Sequence, residues 1–165
     1  MKSLFFIRHA KSSWAEPYLS DHERPLNTRG RRDAPLMAQR LLSTKISPDG
    51  LMVSSAKRAK KTAKYFRDAF SIDKDQVLIQ DELYHASPKT IERAIRQLPD
   101  KWSTVLIFGH NPGFTDVANA LKNDQYIGNV PTCGIVGATI DVKKWKDFEL
   151  EKARRTAFLY PKQVT

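Results

Sequence analysis

Histidine and arginine occur at four places in this chain where they can act on phosphate. Arg8-His9 follows the apolar run 4–7, Arg58 lies four residues past Ser54, and His110 follows Gly109 and the apolar run 105–108. A neutral imidazole whose second nitrogen is held by an acceptor can attack phosphorus directly. Guanidinium groups beside it lower its pKa by like-charge repulsion, which keeps the attacking nitrogen unprotonated near neutral pH. They also clamp phosphoryl oxygens and neutralise charge that develops in the transition state. His110 can donate a further hydrogen bond to such a group in either charge state. Each feature alone is weak: a strand-end dipeptide, one arginine on a basic helix, one turn histidine. The combination carries the case.

Chemistry at these positions depends on elements that bring them together. Run 4–7 is apolar on both alternating faces and predicts a buried strand. Residues 51–53, 77–79 and 105–108 predict three more, and 135–142 with 156–159 predict two further strands joined by a polar turn. Asn27 or Thr28 caps a helix with Ala34, Met37, Ala38, Leu41 and Leu42 on one face. A second helix turns Ala59, Ala63, Phe66 and Phe70 inward and Lys57, Lys60, Lys61, Lys64 and Arg67 outward. Ser87-Pro88 starts a third, whose buried stripe is Ile91, Ala94, Ile95 and Leu98. A fourth follows Gly113 and buries Phe114, Val117, Ala118 and Leu121. The alternation argues for a layered α/β fold.

Arg8-His9, residues 54–58 and Gly109-His110 all fall just after the carboxyl ends of predicted strands. That is the edge where open α/β sheets bind ligands. Helix N-termini after Ser55 and Asn111 add backbone N–H groups there. The polar connection 11–27 is long enough to suggest a functional loop. Its Trp14 and Tyr18 are expected to help cover the site, whereas His22 and His85 read as ordinary loop residues.

At 165 residues the chain fits a single domain, 1–165, with a sizeable core and no linker or repeat. Its longest apolar runs are strand-sized, and the N-terminus does not resemble a signal peptide. The lone cysteine, Cys133, excludes an internal disulfide framework and suits a reducing compartment. A cytoplasmic location is expected, with Cys133 as a small core residue. The 28 Lys+Arg against 18 Asp+Glu, a net +10, favour acidic or phosphorylated partners, although many of these cations simply solvate helix faces.

The segment Phe6-Ile7-Arg8-His9-Ala10-Lys11-Ser12-Ser13-Trp14 resembles the Arg-His-Gly signature of the histidine phosphatase superfamily, the phosphoglycerate-mutase-like group. Ala10 and the Lys-Ser-Ser-Trp extension resemble its small SixA-like phosphohistidine phosphatase branch. Asp21-His22-Glu23-Arg24-Pro25-Leu26-Asn27-Thr28-Arg29-Gly30 is similar to that branch's pre-helix motif, and residues 54–63 to its second-arginine motif. Leu83-Tyr84 and Gly109-His110-Asn111-Pro112-Gly113 complete an ordered set covering nearly the whole chain. The resemblance implies a three-layer α/β sandwich with a mostly parallel central sheet. It implies that His9 becomes phosphorylated, that Arg8, Arg58 and His110 bind the phosphoryl group, and that no cofactor or metal is required.

Two positions depart from the superfamily pattern. Ala10 replaces glycine, a change common in the branch. Asn111 follows the second histidine, where many members place a proton-donating carboxylate. Glu82, beside Asp81, and His85 are the candidate general acids. General acid catalysis is worth about 10²–10⁴-fold, and an alkoxide leaving group needs it. Phosphohistidine has a better leaving group once its imidazole is protonated, so a site without an obvious acid fits N–P cleavage. The expected substrate is therefore a phosphohistidine-bearing protein, with a small phosphoester as the alternative.

Other readings fare worse. No recognition helix, RNA-binding sheet or zinc finger supports a nucleic-acid module, and neither nucleic acid nor membrane is expected as a partner. His9 and His110 lack a third metal ligand at a familiar spacing. The short chain without insertions argues against a dedicated mutase.

Overall fold

Strands that are apolar on both faces need a layer of helices on each side, and the chain supplies four. The computed structural model describes residues 1–163. The helices are α1 (Thr28–Leu42), α2 (Lys57–Phe70), α3 (Pro88–Ile95) and α4 (Gly113–Ala120). The strands are β1 (Lys2–Arg8), β2 (Gly50–Ser54), β3 (Val77–Gln80), β4 (Thr104–Gly109), β5 (Ile135–Ile140) and β6 (Arg154–Leu159). They form one sheet in the order β3-β2-β4-β1-β5-β6. β1, β4, β2 and β3 pair in parallel, while β5 and β6 join antiparallel beyond β1.

Strand alternation divides the core in two. Ile7, Leu51, Val53, Leu106 and Phe108 face α1 and α2, packing on Met37, Leu41 and Phe66. Phe6, Met52, Val105 and Ile107 face the other way, onto Ile91, Ile95, Phe114 and Val117. Each such buried side chain contributes about 1.5–3 kcal/mol. α1 and α2 therefore cover one face, α3 and α4 the other. Between β1 and β4 the chain connections diverge to opposite sides, which opens a crevice at the carboxyl ends of those strands.

Local signals set the helix starts. The Asn27 side chain accepts from the Gly30 N–H at 2.9 Å, and the Ser87 hydroxyl accepts from the Thr90 N–H at 3.3 Å. Gly30 also lets α1 approach the residues after β1. A Cβ there would lie 2.1 Å from the Lys11 carbonyl oxygen.

Three expectations are corrected. The connection between β5 and β6 is no polar turn: Trp145, Phe148 and Leu150 are buried in the core, and Trp145 Nε1 donates to the Trp102 carbonyl at 2.9 Å. Isolated apolar residues in a charged segment leave no periodicity to read. Phe70 is only half-buried, at the last turn of α2. Leu42, expected on the buried face of α1, is exposed at its last turn. Within the 11–27 loop Ser12 bridges Leu26 antiparallel, and Asp21–Glu23 form a 3-10 turn. Among the described residues, no helix is long and apolar enough to cross a membrane.

Candidate active site

Because β1 and β4 are parallel neighbours with Arg8 opposite Gly109, the residues after them leave the sheet side by side. These are His9 and His110, with ring centroids 5.2 Å apart. β2 flanks β4 on its other side, and Ser54 at its end places its Oγ 2.7 Å from His110 Nε2. Arg58 lies in the first turn of α2 and reaches back over His9.

The backbone around His9 is tied down. Its N–H donates to the Gly109 carbonyl at 3.0 Å, and the Cys133 N–H is shared between the Arg8 and His9 carbonyls, both at 3.0 Å. His9 Nδ1 donates to the Ala10 carbonyl at 2.8 Å. A carbonyl can only accept, so the proton sits on Nδ1 and the lone pair on Nε2. Arg58 Nε approaches that nitrogen at 3.4 Å. Burial, with Arg58, Arg8 and Arg24 nearby, outweighs the Ala10 hydrogen bond and lowers the His9 pKa to about 3. The ring is therefore neutral near pH 7 with Nε2 free to attack.

A carboxylate organises the arginines. Asp21 Oδ2 accepts from Arg58 Nη2 at 3.0 Å and from the Tyr84 hydroxyl at 2.5 Å, and Oδ1 accepts from Arg24 Nε at 3.1 Å. The Asp21 carbonyl takes Arg58 Nη1 at 2.6 Å. Burial opposes ionisation here, but the hydrogen bonds from Tyr84 and Arg58 hold the carboxyl well below the usual range. Arg24, only 7% exposed, also donates to Ser12 Oγ at 2.6 Å and stacks its guanidinium 3.5 Å from the Trp14 ring centroid. Arg8 donates to the Val130 carbonyl at 3.0 Å, and its buried Nε has no partner. Burial lowers the His110 pKa to about 3, with His9 and Arg58 adding to the effect; His110 Nδ1 is likewise buried and unpartnered.

These groups line a cleft of about 220 Å³ whose walls are Arg8, His9, Lys11, Ser12, Trp14, Arg24, Arg58, His85, His110, Asn111 and Thr132. Four of the eleven are permanent cations and none is a carboxylate. A larger groove of about 680 Å³, between residues 123–131 and β6, holds no histidine and none of these residues.

The structure thus brings Arg8, His9, Arg58 and His110 into one cleft. It separates the two candidate acids. His85 is on the wall, its ring 3.9 Å from that of Tyr84 between centroids. Glu82 is absent from the wall and lies 3.9 Å from Arg93. Trp14 lines the cleft, whereas Tyr18 is exposed and bonds Glu16. His22 sits outside, against Ser55 Oγ at 2.9 Å. Cys133 is buried in the core, and burial pushes its thiol pKa up.

Sequence reasoning gave no individual role to Asp21, Arg24 or Ser54, although the first two stand in the pre-helix motif and Ser54 at the end of β2. The Asp21–Arg24 pair was readable as an opposite-charge i,i+3 pair on one turn. Among the described residues, no three His, Cys, Asp or Glu side chains cluster as metal ligands.

A parallel-sheet crevice holding a neutral, pinned imidazole among arginines defines a phosphoryl-transfer protein of the phosphatase class. The chain belongs to the histidine phosphatase superfamily (branch 1), whose family model matches residues 4–106. It is 34% identical to an uncharacterized protein of Mycobacterium leprae, over 94% of this chain and 100% of the relative. A solved structure from Agrobacterium tumefaciens, assigned as the phosphohistidine phosphatase SixA, superposes with a TM-score of 0.81 at 27% identity, covering 97% of this chain and 98% of that one. One with the same assignment from Nakamurella multipartitia gives 0.80 at 25% identity, covering 98% and 97%.

Proposed function

We propose that this phosphatase works through a phosphohistidine formed on His9, without a metal, and that its substrate is phosphohistidine carried by a protein. In this reading the whole chain acts as one cytoplasmic domain. His9 Nε2 attacks phosphorus, and the bond from phosphorus to the leaving atom breaks with its electron pair going to that atom. Arg8, Arg58 and His110 bind the phosphoryl oxygens, and Arg24 adds a further cation. Water then attacks phospho-His9, the P–Nε2 bond breaks, and inorganic phosphate leaves with the free imidazole restored.

The observation that carries the substrate reading is the wall of the cleft, which bears four cations and no carboxyl group. Asp21, the nearest carboxylate to the arginines, is ionised by its hydrogen bonds and cannot serve as a proton donor. A phosphohistidine protonated on its second ring nitrogen leaves as neutral imidazole and needs no donor from the enzyme. The guanidinium groups supply the positive charge that a metal supplies elsewhere. The named SixA structures, similar over nearly their whole length, support the same substrate class.

One observation favours a small phosphoester instead: His85 stands on the wall and can donate a proton to an alkoxide. The two readings separate in one experiment. Phosphate release is measured in chelator from a histidine-phosphorylated protein and from an aryl phosphate, with a His9→Ala control. Turnover of the phosphoprotein that His9→Ala abolishes is expected. Turnover of the aryl phosphate alone moves the substrate to phosphoesters, and activity in His9→Ala removes the mechanism.

A further inference from the structure

We propose that the outer face of α2 is a docking surface for an acidic patch on the phosphoprotein substrate. The proposal rests on the phosphohistidine reading and adds how the protein part of that substrate is held.

Lys57, Lys60, Lys61 and Lys64 stand at i, i+3, i+4 and i+7 on α2, the last three exposed. Like charges at these spacings repel and weaken a helix. Interleaved carboxylates relieve this on a solvated helix face. α2 has one, Asp68, 3.8 Å from Lys64. Lys57, Lys60 and Lys61 form no ion pair among the described residues. Glu23, which borders the face, lies against His22 at 3.2 Å. The fold therefore carries a cationic strip whose first three lysines have no carboxylate partner among the described residues.

Two hollows give the strip relief. One of about 440 Å³ is lined by Glu23 and the four lysines. The other, about 300 Å³, has Pro25, Leu26 and Tyr65 as its floor and Arg31, Lys57 and Lys61 at its rim. An apolar floor ringed by cations fits a protein surface with carboxylates around a hydrophobic side chain.

The strip adjoins the cleft. Lys57 precedes Arg58, whose guanidinium reaches His9, and the Ala10 N–H bonds Thr62 Oγ1 of the same helix at 2.9 Å. At 1.5 Å rise per residue, Lys64 is about 9 Å along the axis from Arg58. A protein whose phosphohistidine enters the cleft thus covers these lysines within the footprint of an ordinary interface. A free phosphorylated amino acid does not reach them.

The test compares the full chain with a Lys60→Glu, Lys61→Glu, Lys64→Glu triple variant. The substrates are an acidic carrier protein phosphorylated on histidine with phosphoramidate, and free phosphohistidine. At low salt, kcat/KM on the carrier is expected to fall about tenfold or more through KM. Turnover of free phosphohistidine stays unchanged, and salt near ~0.5 M closes the gap. An unchanged rate on the carrier, or an equal fall on both substrates, overturns the proposal. So does random duplex DNA that binds the parent chain but not the variant and leaves carrier turnover unchanged, which gives the face to nucleic acid. If the parent chain hydrolyses an aryl phosphate and neither phosphohistidine, the substrate reading fails by itself. Calorimetry with the unphosphorylated carrier then decides the face: binding that the variant loses keeps it, and no binding removes it.

Discussion

Ser54 Oγ lies 2.7 Å from His110 Nε2, joining the ends of two parallel strands. The Ser54 oxygen also accepts from the Ala56 N–H at 3.3 Å and keeps a second lone pair, so its contact with Nε2 fits either tautomer of His110. When the Ser54 hydroxyl donates to Nε2, the proton of neutral His110 sits on Nδ1, the buried nitrogen without a partner. A buried N–H is costly to leave unpaired. Under the proposed function a phosphoryl oxygen in the cleft would satisfy it, and Ser54 would hold His110 in the donating tautomer.

Replacing Ser54 by Ala frees the tautomer. The expected loss is about 1 kcal/mol of transition-state stabilisation, roughly fivefold in kcat/KM. NMR of the His110 ring nitrogens checks it, since a purely structural role for Ser54 leaves the tautomer unchanged.

The depressed pKa values set the response to acid. A neutral His9 is the reactive form, so kcat/KM for an aryl phosphate is expected to hold from pH 7 to pH 5 rather than fall near the ordinary value of 6.5. Stability behaves differently. His9 and His110 bind protons in the unfolded chain below about 6.5 and in the folded chain only near 3, so stability is lost as pH falls through that window. Thermal unfolding of His9→Ala is expected to depend less on pH between 6.5 and 4 than that of the parent chain. Equal slopes would contradict the assignment.

The two candidate acids give opposite expectations. His85→Gln lowers alkyl phosphate turnover by about tenfold or more and leaves phosphohistidine turnover within twofold. Glu82→Gln changes neither, because its carboxylate faces Arg93 rather than the cleft. Steady-state rates on both substrates decide, and a loss in Glu82→Gln would overturn the account.

Gly30→Ala puts a methyl group 2.1 Å from the Lys11 carbonyl oxygen, a backbone atom that cannot swing aside. α1 must shift away from the residue that follows Ala10. The expected cost is about 1–3 kcal/mol of stability, seen as a lowered denaturant midpoint.

The helices and strands were legible because burial imposes periods of 3.6 and 2 on their residues. The start of α1 at Asn27, the Ser87-Pro88 start of α3 and the buried run of β4 all follow from such local rules. The positions of Arg8, His9, Arg58 and His110 were legible for a related reason. Each sits at a strand's carboxyl end or within four residues of one, and a parallel sheet gathers such ends at one edge.

What escaped was held by contacts between loops. Trp145 and Phe148 entered the core singly, without a pattern. Arg24 reached the cleft wall, and Asp21 the arginines behind it, because the 11–27 loop folds back, with Ser12 bridging Leu26 and Asp21 meeting Arg58 and Tyr84. Glu82 and His85 are three residues apart and chemically equal candidates, yet only the turn that aims His85 at the cleft distinguishes them. Residue type and strand periodicity were enough to pick out Arg8, His9, Arg58 and His110 and the sheet edge they share. Which loop side chains face that edge followed from the folded chain, because a loop's side-chain directions depend on long-range contacts and not on local periodicity.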